Sequence, residues 1–146
     1  MMFPASWAML RTPAVLLTGA LLTAAPAAAQ PPPPAPPPPL HHVKYTVTSQ
    51  QPHFAKVYWR EADPVNFAEY SHNPYVFSPK AEVDVGPGQP WIREVWLADP
   101  YHWAMVTATS ELDPVEPMFS CTLEVDGAVV ATNEGPKGAL CSLRHW

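Results

Sequence analysis

The sequence predicts an all-β fold, a small immunoglobulin-like sandwich of about seven or eight antiparallel strands with one disulfide. From residue 43 onward, short runs alternate apolar and polar residues, which is typical of strands that are buried on one face. Turn residues separate these runs, and no long segment shows helical periodicity. The chain has 146 residues, 21 prolines and a net charge of −5, which suits one small domain with an N-terminal extension.

Residues 1–29 have the features of a secretory signal peptide. A leader that contains Arg11 precedes an apolar stretch, and a run of small residues ends at Ala29. We predict cleavage between Ala29 and Gln30, which makes the protein exported: secreted, or retained in the periplasm or cell envelope. The alternative is an uncleaved membrane anchor, because residues 12–29 carry no charge and approach the length of a spanning helix.

Residues 30–42 form a predicted linker. Residues 31–39 are all proline except Ala35. Proline lacks an amide hydrogen and has a fixed φ, so this tract should adopt the polyproline II conformation. We interpret it as a semi-rigid spacer, with a ligand for a proline-recognising partner as the alternative.

The predicted sandwich domain spans residues 43–146. Its strands are expected at residues 43–48, 55–60, 81–85, 91–97, 103–109, 119–125, 128–130 and 139–144. Residues 63–79 are expected to be a long loop, because prolines and asparagines interrupt them; a loop that contains a short edge strand is the alternative. Asp126 and Gly127 stand between two alternating runs, where an Asp-Gly pair favours a two-residue hairpin turn with positive φ.

The two cysteines of the chain are Cys121 and Cys141. In an exported protein, a pair of cysteines indicates one disulfide. Closing a loop of this size should stabilise the fold by about 3 kcal/mol.

Composition and motifs argue against several functional classes. The chain is acidic and has no basic stripe, so no nucleic-acid partner is expected. The six histidines show no metal-ligand spacing, and neither a GxSxG nucleophile motif nor a phosphate-binding loop is present. We therefore expect no metal, no cofactor and no catalytic residues.

Aromatic side chains are the unusual feature of the domain. In the strand at residues 91–97, alternation places Trp91 and Trp96 on opposite faces. Either one of them is in the core and the loop at residues 63–79 covers the other, or an aromatic surface is exposed to a protein, lipid or glycan partner. The candidate contact residues are Phe67, Tyr70, His72, Tyr75, Trp91, Trp96 and Trp103.

Three segments together resemble the extracytoplasmic domain of the mycobacterial MmpS family. They are VKYTVT from Val43, SCTLEVDGAVVA from Ser120 and ALCSL from Ala139, and VYW from Val57 adds to them. Members of that family begin with a V-x-Y-x-V strand and end with a C-x-[IL]-x-V-D-G-x-V hairpin and a second cysteine. The resemblance covers roughly residues 43–146.

This resemblance implies a disulfide-bonded β-sandwich in the cell envelope. MmpS proteins are non-catalytic accessory partners of MmpL transporters of the RND type, which export lipids and siderophores. We therefore expect a non-catalytic envelope protein that binds such a transporter or another envelope complex. The alternative is a secreted lipid- or glycan-binding domain without a transporter partner.

Overall fold

The computed structural model describes Gly19 and residues 24–144. Most of the predicted signal segment therefore lies outside the described residues, although the predicted cleavage site lies within them. By its contacts the chain divides into two units, Met1–Ala35 and Pro36–Trp146. Residues 24–40 are exposed and belong to no helix or strand.

The described part of the second unit contains the following elements. They are β1 (His41–Ser49), β2 (His53–Trp59), α1 (Phe67–His72), α2 (Pro74–Phe77), β3 (Lys80–Val85), β4 (Trp91–Leu97), α3 (Pro100–Trp103), β5 (Met105–Thr109), β6 (Phe119–Val125), β7 (Ala128–Gly135) and β8 (Gly138–Ser142).

The strands form two four-stranded antiparallel sheets, which confirms the predicted sandwich. The first sheet has the order β4-β1-β6-β7 and the second has the order β3-β2-β5-β8. In the first sheet, Val43 pairs with both Val95 and Val125, so β1 lies between β4 and β6. In the second sheet, Trp59 pairs with Val106 and joins β2 to β5.

Alternate residues of the central strands face a common core between the sheets. Val43, Tyr45 and Val47 of β1 are fully buried, as are Phe119 and Leu123 of β6. The hydroxyl group of Tyr45 donates a hydrogen bond of 2.9 Å to the carbonyl oxygen of Arg60, so its polar atom is satisfied inside the core. Burial of the phenol raises the pKa of Tyr45 well above its ordinary value, which keeps it neutral.

The predicted disulfide is confirmed. Cys121 of β6 and Cys141 of β8 are bonded, with their Cα atoms 6.0 Å apart and both residues buried. Because β6 and β8 belong to different sheets, the bond ties the two halves of the sandwich together.

The β6–β7 hairpin turns at Asp126 and Gly127. Their φ values are 50° and 83°, which places both residues in the left-handed region. An aspartate tolerates this region better than most residues, and glycine enters it without steric cost. Asp126 also binds β1, because its backbone amide donates to the carbonyl oxygen of His42 at 2.8 Å.

Several predicted boundaries were wrong; for example, the strand predicted at residues 128–130 is β7, which runs to Gly135. Residues 63–79 are not only loop, because Asn66 caps α1 and Pro74 begins α2. The fifth strand begins at Met105 rather than residue 103, because Asp99 and Pro100 start a helical turn. The linker ends before residue 42, because His41 already pairs with Leu97.

Several connections meet at one end of the sandwich, which we call the proximal end because β1 begins there. His41 pairs with Leu97, the last residue of β4. The carboxylate of Asp63, from the β2–β3 connection, accepts hydrogen bonds from the amides of Ala98 at 2.6 Å and Asp99 at 3.1 Å. The connections that follow β2 and β4 are thereby held together.

The opposite, distal end carries the β1–β2 turn and the loop at residues 110–118. The amide of Gln50 donates to the carbonyl oxygens of Pro117 and Met118, both at 3.1 Å. His53 Nε2 lies 3.3 Å from Asp113 Oδ2. Leu112 in this loop is 97% exposed, which makes it a suitable reference position for the experiments below.

Removing the disulfide should lower the stability of the domain without changing its fold. In the double variant Cys121→Ala/Cys141→Ala, the free energy of unfolding should fall by about 3 kcal/mol. The reason is that the unfolded chain regains the conformational entropy that the disulfide removes when it closes the loop. Urea denaturation of the oxidised protein and the variant measures the difference. Wild-type protein in excess reductant is the control, and a loss below about 1 kcal/mol in both samples would contradict the prediction.

Candidate interaction surface

Aromatic rings and arginines pack together at the proximal end. We call this group the ring–arginine cluster; its members are Arg60, Phe67, Tyr70, His102, Trp103 and Arg144. The ring centroids of Phe67 and Tyr70 are 6.1 Å apart, and those of Tyr70 and Trp103 are 6.0 Å apart. These separations lie within the range that aromatic pairs prefer. The contact between Tyr70 and Trp103 joins α1 to α3.

Arg60 lies beneath these rings and is completely buried. Its guanidinium carbon is 4.1 Å from the centroid of Tyr70 and 5.5 Å from that of Trp103, both within cation–π distance. Its Nε donates a hydrogen bond of 3.1 Å to the carbonyl oxygen of Trp103, and its backbone amide donates one of 2.8 Å to the carbonyl oxygen of Met105. Arg60 therefore joins α1, α3 and the start of β5.

Arg144 contacts the same rings from the segment after β8. Its guanidinium carbon is 5.2 Å from the centroid of Phe67 and 5.6 Å from that of Trp103. Its Nη1 lies 3.2 Å from His102 Nε2, and the rings of His102 and Trp103 are 4.7 Å apart. The C-terminal segment thus completes a cluster that begins with residues far away in the sequence.

Side-chain caps begin two of the short helices at this end, α1 and α3. The side chain of Asn66 accepts a hydrogen bond of 2.9 Å from the amide of Glu69, and the side chain of Glu69 accepts one of 2.8 Å from Val65. This reciprocal arrangement resembles a capping box. The side chain of Asp99 caps α3 through the amide of His102 at 3.2 Å. Helices this short are not stable alone, so these caps support α1 and α3, whereas α2 begins with Pro74 and has no side-chain cap.

The surface around the cluster exposes large apolar side chains. Tyr75 is 74% exposed, Tyr101 is 59% exposed and Phe67 is 51% exposed, and Val65 and Val76 are also exposed. These residues belong to the β2–β3 and β4–β5 connections that Asp63 holds together. The proximal end therefore combines an ordered base with an exposed apolar surface, a combination typical of binding sites built on loops.

The structure separates the predicted contact residues into different environments. Phe67 and Tyr70 join the cluster, His72 and Tyr75 are exposed on α1 and α2, and Trp103 is 6% exposed. The prediction that Trp103 is a surface contact is therefore wrong, because Tyr70, His102 and the two arginines pack around its ring. It supports the exposed residues from below.

Trp91 is half-buried and packs inward, with its ring 5.0 Å from the ring of Trp59. Arg93 lies over Trp59 at 5.5 Å and forms an ion pair of 2.6 Å with Glu61. The hydrogen bond from Arg93 lowers the pKa of the Glu61 carboxyl, and a hydrogen bond from Trp59 adds to this effect. Trp91 therefore closes one side of the core and is not a free contact residue.

Trp96 lies on the outer face of the first sheet and is 60% exposed. The expectation that a loop covers one tryptophan of this strand is wrong for Trp96. Its ring is 5.0 Å from that of His42, whose Nε2 lies 3.6 Å from Glu94. On the same sheet, a shallow depression of about 380 Å³ lies between β6 and β7, lined by Ser120, Cys121, Thr122, Thr132, Asn133 and Glu134.

Asp126 holds the start of β1 through its carboxylate. Its Oδ2 lies 2.7 Å from His41 Nδ1, and its Oδ1 accepts the amide hydrogen of His42 at 2.9 Å. These two hydrogen bonds, with that of His41 the stronger, hold the pKa of the Asp126 carboxyl below its ordinary value of 3.8. The hairpin turn thus also attaches the strand that follows the proline tract.

The structure also bears on metal binding and on membrane crossing, within the residues that it describes. Within Gly19 and residues 24–144, no group of three or more His, Cys, Asp or Glu side chains could hold a metal ion. In the same part of the chain, no helix is long and apolar enough to cross a membrane.

Comparison with known proteins identifies the family of the sandwich. The family model of the Rv2576c beta-sandwich domain matches residues 45–141. The chain belongs to this family. The Rv2576c match begins at the buried Tyr45 and ends at Cys141 of the disulfide, so it covers the core, the hairpin and most of the ring–arginine cluster. It leaves out the proline tract and Arg144.

Three relatives show the same degree of similarity. The uncharacterized protein Rv2576c of Mycobacterium tuberculosis strain H37Rv is 36% identical over 106 residues, which cover 73% of this chain and 68% of that protein. The uncharacterized proteins MT2652 of strain CDC 1551 and Mb2606c of Mycobacterium bovis give the same values. No solved structure matches the chain. None of these matches names an MmpS protein, so that resemblance stays a hypothesis.

Sequence reasoning missed both arginines of the cluster. Arg60 follows the alternating strand β2 without any local signal that its side chain is buried, and Arg144 lies near the end of the chain. The helices were detectable, because Asn66 with Glu69, and Asp99 with Pro100, are helix-start patterns.

The ring of Tyr70 should contribute to stability through the cluster. The change Tyr70→Ala should lower the free energy of unfolding by about 2 kcal/mol or more, because contacts with Phe67, Trp103 and Arg60 are lost. Tyr70→Phe keeps the ring and should cost about 1 kcal/mol at most. The matched control is Tyr75→Ala at an exposed position, and equal stabilities of Tyr70→Ala and Tyr75→Ala would contradict the prediction.

The contact between Asp126 and His41 should make stability depend on pH in the acid range. Because folding lowers the pKa of Asp126, its contribution is fully present above the unfolded value of about 3.9 and is lost as pH falls through the lower folded value. Asp126→Asn, which tolerates positive φ, should therefore lose less stability than wild type between about pH 5 and pH 2. Urea denaturation across this range measures the difference. Asp84→Asn is the control, and parallel curves for Asp126→Asn and wild type would refute the prediction.

Proposed function

We propose that this chain is a non-catalytic, exported protein of the cell envelope that binds another envelope component through its proximal end. The observation that carries the proposal is the exposure of three aromatic side chains, Phe67, Tyr75 and Tyr101, on the short helices of the proximal end. Exposed aromatic side chains on an ordered base are typical of protein contact sites.

The position of this surface also supports the proposal. The proximal end is where β1 begins, so the proline tract and the apolar segment at residues 12–29 connect to the domain there. If residues 12–29 serve as an anchor, the chain enters the domain at the end that carries this surface, after the proline tract.

The disulfide supports export. Disulfides persist in oxidising compartments and are rare in the cytosol, and this one links the two sheets. With the signal-like segment, it favours an envelope or extracellular location. By the MmpS resemblance, the partner would be an MmpL transporter of the RND type; another envelope complex fits the same surface.

One observation favours a second function, the binding of a lipid or glycan. Trp96 is exposed on a sheet face that also carries His42, Glu94 and the polar depression beside Thr122. An exposed tryptophan beside hydrogen-bonding groups can stack on a sugar ring or contact lipid. This function uses a different face from the proposed protein contact, so the two are separable by experiment.

Site-specific photo-cross-linking tests the proposed contact. A photo-reactive phenylalanine analogue replaces Tyr75 at the proximal end in the full-length chain, and Leu112 at the distal end in the matched control. Intact cells are irradiated, and the chain is detected in cytosolic, envelope and culture-fluid fractions with an antiserum against the domain. We expect a protein adduct from position 75 outside the cytosol and none from position 112.

Other outcomes separate the hypotheses. Equal cross-linking at both positions, or a chain that stays in the cytosol with free thiols, would refute the proposal. The same analogue is also placed at Trp96. An exported chain that gives no protein adduct from position 75, but from position 96 gives an adduct with the mass of a lipid or glycan, would favour the second function.

A further inference from the structure

We infer that Gln30 becomes the first residue of the mature chain and is converted to pyroglutamate, a five-membered lactam. This inference rests on the proposed export and on the predicted cleavage between Ala29 and Gln30. Both residues are exposed and lie outside any helix or strand. Ten residues, 31–40, lie between Gln30 and the start of β1 in the sequence, so cleavage of the bond breaks no strand of the sandwich.

Cleavage creates the chemistry that the lactam needs. It frees the α-amino group of Gln30, which can then attack Cδ of the carboxamide in its own side chain. A C–N bond forms, the bond between Cδ and the side-chain nitrogen breaks, and ammonia leaves with the displaced nitrogen. No oxidant or other reactant is needed, and the mass falls by about 17 Da. Ring closure within one residue is favoured because both groups are held close together.

The lactam would help to protect the exposed proline tract from trimming by exopeptidases. Residues 30–40 contain no charged side chain, so the α-amino group is the charge that cleavage would introduce there. Ring closure removes that charge and also the free amine that aminopeptidases bind. The tract that follows presents proline at nearly every position, which general exopeptidases cleave poorly. An exposed segment outside the folded domain would thereby resist trimming.

Peptide mass spectrometry of the full-length protein tests the inference. The protein is collected from cells and from culture fluid directly into an amine-acylating reagent, so that any amine that is free at harvest is labelled and cannot cyclise later. Trypsin does not cleave after acylated lysine, so it cleaves after Arg60 and releases the peptide of residues 30–60 with Lys44 and Lys56 acylated. We expect this peptide to be unlabelled at its N-terminus and about 17 Da lighter than its sequence mass with both lysines acylated.

The control variant Gln30→Glu has nearly the same shape at the cleavage site. Its carboxylate cyclises far more slowly than a carboxamide, so its peptide should carry the acyl label at the N-terminus. A wild-type peptide 30–60 labelled at its N-terminus would overturn the modification while leaving export and cleavage intact. Peptides that span the bond between Ala29 and Gln30 would overturn both cleavage and modification, and the fraction that contains them decides separately whether the chain is exported.

Discussion

Burial of one face of β1 and β6 between the two sheets is the constraint on which the other features depend. Val43, Tyr45 and Val47 are excluded from water on one side of β1, while β4 and β6 satisfy its backbone on both edges. A slip of one residue would expose this face, because side chains alternate along a strand. The register of the first sheet is therefore strongly specified, and it places Cys121 where it can reach Cys141.

The same core organises the proximal end. Tyr45 binds the carbonyl oxygen of Arg60 from inside the sandwich, while the guanidinium group of Arg60 lies under Tyr70 and Trp103. A buried arginine is costly unless its charge is compensated, and aromatic faces with carbonyl oxygens supply part of that compensation. Arg60 thus connects the sheet core to the surface that we propose for binding.

Family membership identifies the fold of the domain, and the relatives that match it are uncharacterized proteins. The Rv2576c match spans residues 45–141, so the family model covers most of the sandwich and leaves out the proline tract. The domain supplies a stable core, a closed inter-sheet disulfide and an apolar proximal surface, whereas the N-terminal extension would determine where the domain is displayed.

The sequence by itself determined the features that depend on local periodicity and residue chemistry. Alternation marked the strands at Val43, Trp91 and Phe119, the Asp126–Gly127 pair marked a hairpin through its tolerance of positive φ, and two cysteines allowed one pairing. These signals are local, so each is readable without knowing the neighbours in space.

Only the tertiary structure decided which aromatic residues are exposed and which arginines are buried. Trp96 and Trp103 look equivalent in the sequence, but Trp96 faces solvent and Trp103 is covered by Tyr70, His102 and two arginines. The difference arises because burial depends on what packs over a residue, and here the covering groups come from positions as distant as Arg60 and Arg144. Alternation along a strand predicts on which face of the sheet a side chain lies. Only the tertiary structure shows which groups pack against that face.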